Sequence, residues 1–420
     1  MRQKVIGYSY GAGKNRILLT PLSAHYHTMQ YRVNPRNGDR LSVLGYGCMR
    51  FSRTAGVSVN QRKTEEEMSL ALARGVNYFD TAYIYPGSEA ALGKFLAKGH
   101  RKDIFLATKL PFRQCRKTED FERIFSEQKS RLQTDYIDYY MVHMLGDLAS
   151  WKRMVSLGIV EWAAAKKASG EIRQFGFSYH GGTDEFKRLI DAFDWDFCQI
   201  QINYLDAKTQ AGVAGMQYAA ERGLPVFVME PLRGGSLANL PKKAEKVFTD
   251  SNPTRTPVEQ ALRWLWNFEE VTVVLSGMNA VSQVEENCAS ADLAEANSLS
   301  EGELAVYDEV CSVLNAEIRV PCTSCGYCMP CPHGVDIPSC FAAYNLRWSE
   351  GWFSGMVSYV TCTSLKEKSA AASSCVNCGL CEKKCPQGLL IRDYLDEVKT
   401  VMEGRIYKAA LPVVKKFLER

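Results

Sequence analysis

The sequence predicts an α/β protein: a (β/α)8 TIM barrel over residues 29–312, followed by a smaller, mainly helical domain organised by cysteine ligation. Three observations carry this prediction. Eight short β-branched runs alternate with amphipathic helical stretches, two dense cysteine runs lie near the C-terminus, and the composition suits a soluble globular chain. Of 420 residues, 46% are hydrophobic and 23% charged. The net charge of +4 is too weak and too dispersed to argue for nucleic acid or a membrane surface. No apolar run reaches the roughly 20 residues of a spanning helix, and the first residues lack a secretory apolar core. A cytoplasmic location is expected. Fifteen cysteines in an intracellular chain then read as metal ligands plus scattered buried thiols, with Cys48, Cys115, Cys198, Cys288 and Cys311 as ordinary residues.

Residues 1–28 carry no clear periodicity and Met29-Gln30-Tyr31-Arg32 reads as a natural start, so 1–28 is an extension of unknown role. Candidate strands then end, in order, at Leu44-Gly45, Tyr78-Phe79-Asp80, Phe105 to Lys109, Tyr139 to His143, Phe175 to Ser178, Gln199 to Gln201, Phe227 to Glu230 and Val273 to Ser276. Thr64-Glu65-Glu66-Glu67 reads as a capping box opening the first main helix, and Gly75 and Gly223 stand where helices stop. An eightfold βα alternation implies a parallel barrel whose active site lies at the C-terminal ends of its strands. That rule selects Asp80, Lys109, His143, Ser178, Gln199 and Glu230. Singly, each has an ordinary explanation: a loop cap, a solvated lysine, a satisfied core histidine. At successive strand ends they bring an acid, a base and a cation to one face, which is a catalytic constellation.

Beyond the barrel stand Cys322-x-x-Cys325-x-x-Cys328-x-x-Cys331-Pro332 and Cys375-x-x-Cys378-x-x-Cys381-x-x-x-Cys385-Pro386. The second run has the ferredoxin spacing for thiolates around a 4Fe-4S cubane, in which the cysteine before proline ligates the other cluster of a pair. Zinc and a disulfide scaffold are the competing explanations. Three close cysteines plus a fourth before proline is an arrangement that zinc has no reason to share. By analogy, exchange of the fourth ligands gives one cluster on Cys322, Cys325, Cys328 and Cys385, and another on Cys375, Cys378, Cys381 and Cys331. The first run departs from the pattern by one residue at Cys331, and Cys340 or Cys362 is the alternative ligand there. The stretch between the runs shows helical patches and no β alternation, so residues 313–400 are expected to form a mainly helical ferredoxin-like domain, and 401–420 a helical tail.

The segments Phe79-Asp80-Thr81-Ala82-Tyr83-Ile84-Tyr85 with Gly87-Ser88-Glu89, Thr108-Lys109, and Asp135 to Asp138 leading to Val142-His143 resemble the signature segments of the aldo-keto reductases. The C-terminal part resembles the helical two-cluster modules of respiratory iron–sulfur subunits and of a subgroup of aldo-keto reductases. The resemblance implies a tetrad of Asp80, Tyr85, Lys109 and His143, with Tyr85 as proton donor. Lys109 would lower its phenol from a reference pKa near 10, and His143 would hydrogen-bond the carbonyl. It also implies NADP or NAD as cofactor. Gly47, Ser178 and Gln199 fall on nicotinamide-side positions, and Leu232, Arg233, Gly234 and Gly235 on the loop around the pyrophosphate. Ser276, Gly277, Gln283, Glu286 and Asn287 fall on the adenosine segment. Tyr179 and Met229 depart from the family's usual residues, and Gly277 and Gln283 stand where a 2′-phosphate is normally gripped, so the choice between NADH and NADPH stays open. Phe51, Tyr83, Trp151 and His180 are candidate pocket walls.

Nicotinamide delivers two electrons as hydride and a cubane accepts one at a time; a flavin normally mediates, and no flavin fingerprint is present. Three readings result. The first is an iron–sulfur aldo-keto reductase acting on a small carbonyl or alcohol, its clusters exchanging electrons with a ferredoxin or flavoprotein. The second is a cluster-driven reductase of an activated double bond. The third is a nicotinamide and oxygen redox sensor with little turnover.

Overall fold

The computed structural model describes residues 28–54, 58–349, 351–364 and 369–418, so the expected extension at 1–28 lies almost wholly outside the described residues. Eight strands form a closed parallel barrel in chain order: β1 (Leu44–Gly47), β2 (Tyr78–Asp80), β3 (Phe105–Leu110), β4 (Ile137–Leu145), β5 (Ile172–Tyr179), β6 (Phe197–Gln201), β7 (Val226–Met229) and β8 (Val271–Ser276), which pairs back onto β1. Each ends within two residues of the end expected for it. Inside, Tyr78, Tyr139, Met141, Phe197, Phe227 and Val273 fill the lumen, with Tyr78 edge-on to Phe227 at 4.9 Å. A hairpin of Tyr31–Val33 and Arg40–Ser42 plugs the N-terminal end, where Leu41 joins the lumen cluster and the Tyr139 hydroxyl donates to Asp39 at 2.7 Å. The lumen is therefore packed, and only the opposite end can hold a ligand.

Helices α1 (Gln61–Ala73), α2 (Ser88–Leu96), α3 (Glu119–Leu132), α4 (Leu148–Ser156), α5 (Ile159–Ala168), α6 (Thr183–Asp191), α7 (Gly212–Ala220), α8 (Lys242–Ser251), α9 (Pro257–Trp266), α10 (Val281–Ala291) and α11 (Glu301–Glu317) accompany the barrel. The capping box expected at Thr64 is not there. Asn60 caps α1 by accepting from the Lys63 amide at 3.2 Å, and Thr64 is buried one turn in. The helix starts earlier because an asparagine side chain can already satisfy the first orphan amides. At Gly93 in α2, an added Cβ would stand 2.1 Å from the Arg131 carbonyl oxygen of α3. Helix propensity alone favours Gly93→Ala, but the α2–α3 contact opposes it. The expected result is a loss of about 1–3 kcal/mol in urea unfolding.

A second hydrophobic cluster, with Val320, Phe341, Tyr344, Tyr359, Leu395 and Met402, defines the C-terminal module. It is built from α12 (Ile337–Ser349), α13 (Trp352–Tyr359), α14 (Ile391–Met402) and α15 (Arg405–Leu418). The boundary expected at 312/313 falls inside α11, whose Tyr307, Val310 and Leu314 pack with the barrel, so the division comes between Glu317 and Val320. The tail packs on the module through Tyr407 and Leu411. Among the described residues no helix is long and apolar enough to cross a membrane.

Candidate active site beneath the cysteine-rich module

The parallel register lines up the polar strand ends. Gly47 pairs with Asp80, Asp80 with Ala107, Lys109 with Met141, and Ser178 with Gln199. Lys109 Nζ donates to Asp80 at 2.5 Å and to the Thr81 carbonyl at 2.7 Å, and both side chains of the ion pair are buried. Burial opposes charge on each, lowering the lysine and raising the aspartate, and each partner offsets the other's shift. Tyr85 follows β2 in the turn whose Gly87 (φ +75) opens α2; the left-handed conformation there favours glycine. Its ring lies 5.2 Å from Lys109 Nζ and 6.0 Å, edge-on, from the His143 ring. The structure thus brings Asp80, Tyr85, Lys109 and His143 together.

Electrostatics differ from expectation at one point. The Tyr85 phenol is held well above its ordinary value, first by burial and then by the neighbouring Tyr327, Asp80 and Glu230. The Lys109 ammonium lies 5.2 Å from the centre of the ring and is already paired with Asp80. His143 is held neutral, first by burial and then by Lys109 and His180.

The module sits directly on this mouth. Tyr327, inside the first cysteine run, brings its hydroxyl alongside that of Tyr85 and its ring to 6.4 Å from His143 and 6.3 Å from His180. Gln387, two residues after Cys385, donates to Gln201 at 2.7 Å and accepts from Gln210 at 3.0 Å. A cavity of about 580 Å3 remains between barrel and module, with Tyr85 and His143 at one wall and Cys325, Tyr327 and Met329 at the other. At the strand ends, Asp80 Oδ1, His143 Nδ1, Gln199 Oε1 and Gln201 Nε2 are buried without a hydrogen-bond partner. Unmet buried polar atoms in such number mark a place for a polar ligand. Glu230 and Met144 adopt left-handed backbone here, and enclosure pushes the Glu230 carboxyl up to about 7.

The cysteines surround two cavities. Cys322, Cys325, Cys328 and Cys385 line one; Cys331, Cys375, Cys378 and Cys381, with Cys328 at its edge, line the other, of about 300 Å3. Thiols spread around a void in this way suit a cubane. Cys340 is buried and donates to the Ala370 carbonyl, and Cys362 is exposed; neither lines a cysteine cavity.

The nucleotide positions divide. At the nicotinamide end, Gln199 Oε1 is unpaired and Ser178 Oγ accepts the Met144 amide, which suits a carboxamide. At the pyrophosphate end the cysteine-rich module lies close to the Leu232–Gly235 loop. Arg233 is buried against Asp206 at 2.9 Å, and Gly234 faces the Thr323 carbonyl oxygen, 2.1 Å from where a Cβ would stand. Arg50 meanwhile donates to the Ser324 carbonyl at 3.1 Å. Thr323 and Ser324 thus lie between Arg50, which follows β1, and the Leu232–Gly235 loop. Further along, Ser276 accepts from Asn287 at 3.0 Å, Gln283 accepts the Asn279 amide, and Glu286 is exposed on α10. Among the expected walls, Trp151 is core, against Trp195 at 4.4 Å, Phe51 packs near Tyr46, and Tyr83 donates to Glu127. Only His180 reaches the mouth. Tyr327, Thr323, Arg50 and Gln387 escaped sequence reasoning because spacing identifies ligands, not the side chains between them.

Residues 43–301 match the family model described as the aldo/keto reductase family. The chain belongs to the aldo/keto reductase family. Residues 321–391 match the model of a 4Fe-4S dicluster domain. Among curated proteins this aldo/keto reductase is 29% identical to the uncharacterized oxidoreductase YrpG of Bacillus subtilis over 50% of its own length and 68% of that protein. It is 30% identical to protein tas of Escherichia coli, over 40% of its own length and 57% of that protein. Among solved structures it resembles aldo-keto reductase AKR11C1 of Bacillus halodurans, with a TM-score of 0.56 and 27% identity over 67% of this chain and 96% of that one. This aldo/keto reductase is an oxidoreductase carrying an iron–sulfur domain on its barrel.

Proposed function

We propose that this aldo/keto reductase reduces a small carbonyl compound, or oxidises the corresponding alcohol, in the cavity between barrel and module, with Tyr85 as general acid. The observation that supports it most is the placing of Tyr85 and His143, with the buried Lys109–Asp80 pair close by, at one wall of a cavity roofed by the cysteine-rich module. Tyr85, protonated across the physiological range, gives its proton to the carbonyl oxygen as charge develops there. Neutral His143 adds a second hydrogen bond to the same oxygen, and the Lys109 ammonium beside the Tyr85 ring offsets the charge left on the phenolate. Water returns the proton. Two 4Fe-4S clusters, when bound by the two cysteine sets, supply one-electron exchange with a ferredoxin or flavoprotein. Cys378 is exposed beside Val376 and Leu380, which is where such a partner can approach.

A carbonyl takes up two electrons and two protons, and the source of the electrons separates two readings. In the first, NAD(P)H supplies both electrons and the carbon-bound hydrogen. In the second, a low-potential carrier supplies electrons singly and solvent the second proton; the cysteine cavities beside the barrel mouth support it, and its substrate is an activated double bond. The test is anaerobic turnover of a panel of aldehydes, ketones and enones by cluster-loaded protein, with NADPH or NADH in one series and reduced ferredoxin in the other. Turnover with nicotinamide supports the first reading, and turnover with ferredoxin alone the second. No turnover in either series overturns both and leaves a sensor.

A further inference from the structure

The cavity carries a charge pattern that proton donation to a carbonyl does not use. Arg53, Arg113 and Lys384 line it, and among the described residues no carboxylate does. The rest of its wall is largely apolar, with Met49, Ile84, Phe112 and Met329. The cations come from three separate places: the segment after β1, the loop after β3, and the module residue next to Cys385. All three are exposed, at the solvent side of the cavity, whereas His143 is buried at its inner end. Arg113 is held across the domain junction, where its Nη1 donates to the Lys383 carbonyl at 3.2 Å, a contact that positions the guanidinium without neutralising it. Arg53 Nη2 donates to the Pro86 carbonyl at 3.0 Å. A single rim cation is ordinary. Three of one sign around one low-dielectric cleft raise the local concentration of an anion and orient it as it enters.

We propose that the cavity takes an anionic carbonyl compound, its carboxylate at Arg113, Lys384 and Arg53 and its carbonyl at Tyr85 and His143. This rests on the reading of the site as a carbonyl-reducing one, and it names the substrate class. A volume of about 580 Å3 between apolar walls suits a ring or short chain between the two groups. Arginine can grip the carboxylate through two parallel hydrogen bonds, while Lys384 adds a point charge. Because Lys384 belongs to the module, the anion site is complete only when both domains are in place.

The test uses the full-length, cluster-loaded protein and two aldehydes that differ in charge, 4-formylbenzoate and its methyl ester. The expected result is a KM at least tenfold lower for the acid, a preference that shrinks as salt is added. Arg113→Ala brings the acid-to-ester ratio toward one, and Arg113→Lys restores part of it; iron content shows that the module stays loaded. Calorimetry with terephthalate, which has no aldehyde to reduce, reads the anion site without turnover. Terephthalate binding weakened at least tenfold in Arg113→Ala upholds the inference even if neither aldehyde is reduced, in which case only the carbonyl-reducing reading fails. Equal KM values for acid and ester, or terephthalate binding indifferent to Arg113, overturn it.

Discussion

Tyr85→Phe is expected to lower kcat for carbonyl reduction by about 10²–10⁴-fold, the range attributed to a positioned general acid. The change removes one oxygen and keeps the ring, so the contacts of that ring with Lys109 and His143, at 5.2 and 6.0 Å, persist and the fold is not at risk. Lys109→Met is a poorer probe. It leaves Asp80 as a buried carboxylate stripped of its partner, a loss of the kind that costs about 3–5 kcal/mol in stability. The pH dependence carries the same logic. Burial holds the Tyr85 phenol above its ordinary value and keeps His143 neutral, so both groups are in the donating form at neutral pH. The rate should therefore show no fall between pH 6 and about 9 from ionisation of either. Initial rates for Tyr85→Phe against the parent check the assignment; activity within tenfold of the parent would remove Tyr85 from the role of acid.

The second large effect concerns iron content. With ligands exchanged between the runs, Cys328→Ala and Cys331→Ala empty different cavities, and the double variant should lose nearly all iron and acid-labile sulfide. Cys331→Ala with Cys381→Ala should instead lose about half, no more than either change alone, because both cysteines line the same cavity. Ligands taken only within each run predict the reverse outcomes. Emptying the cavity of Cys322, Cys325, Cys328 and Cys385 should also loosen the roof, since Tyr327 and Gln387 are carried by those ligand segments. The barrel has its own extensive core and should keep its circular dichroism.

Much of the barrel was legible because local pattern and global fold agree. Each β-branched run is a strand, and the strand-end rule picked Asp80, Lys109 and His143 before any resemblance was used. Where the reading missed, a non-local contact had won. The capping signal at Thr64 yielded to Asn60, and Trp151, a plausible pocket aromatic, went to a buried cluster with Trp195. Arg233 sits on the loop that the family uses for phosphates, yet Asp206 takes its guanidinium and Thr323 takes the space before Gly234.

The sequence by itself determined the barrel, the iron–sulfur domain and the residue types that carry proton transfer, because periodicity, ligand spacing and strand-end position are local properties of the chain. Only the tertiary structure decided that the iron–sulfur module roofs the barrel mouth. There it sets Tyr327 beside Tyr85, Lys384 beside Arg113's cavity and Thr323 against Gly234. Those contacts join residues far apart in the chain, and no spacing rule encodes which surface of one domain buries which surface of another.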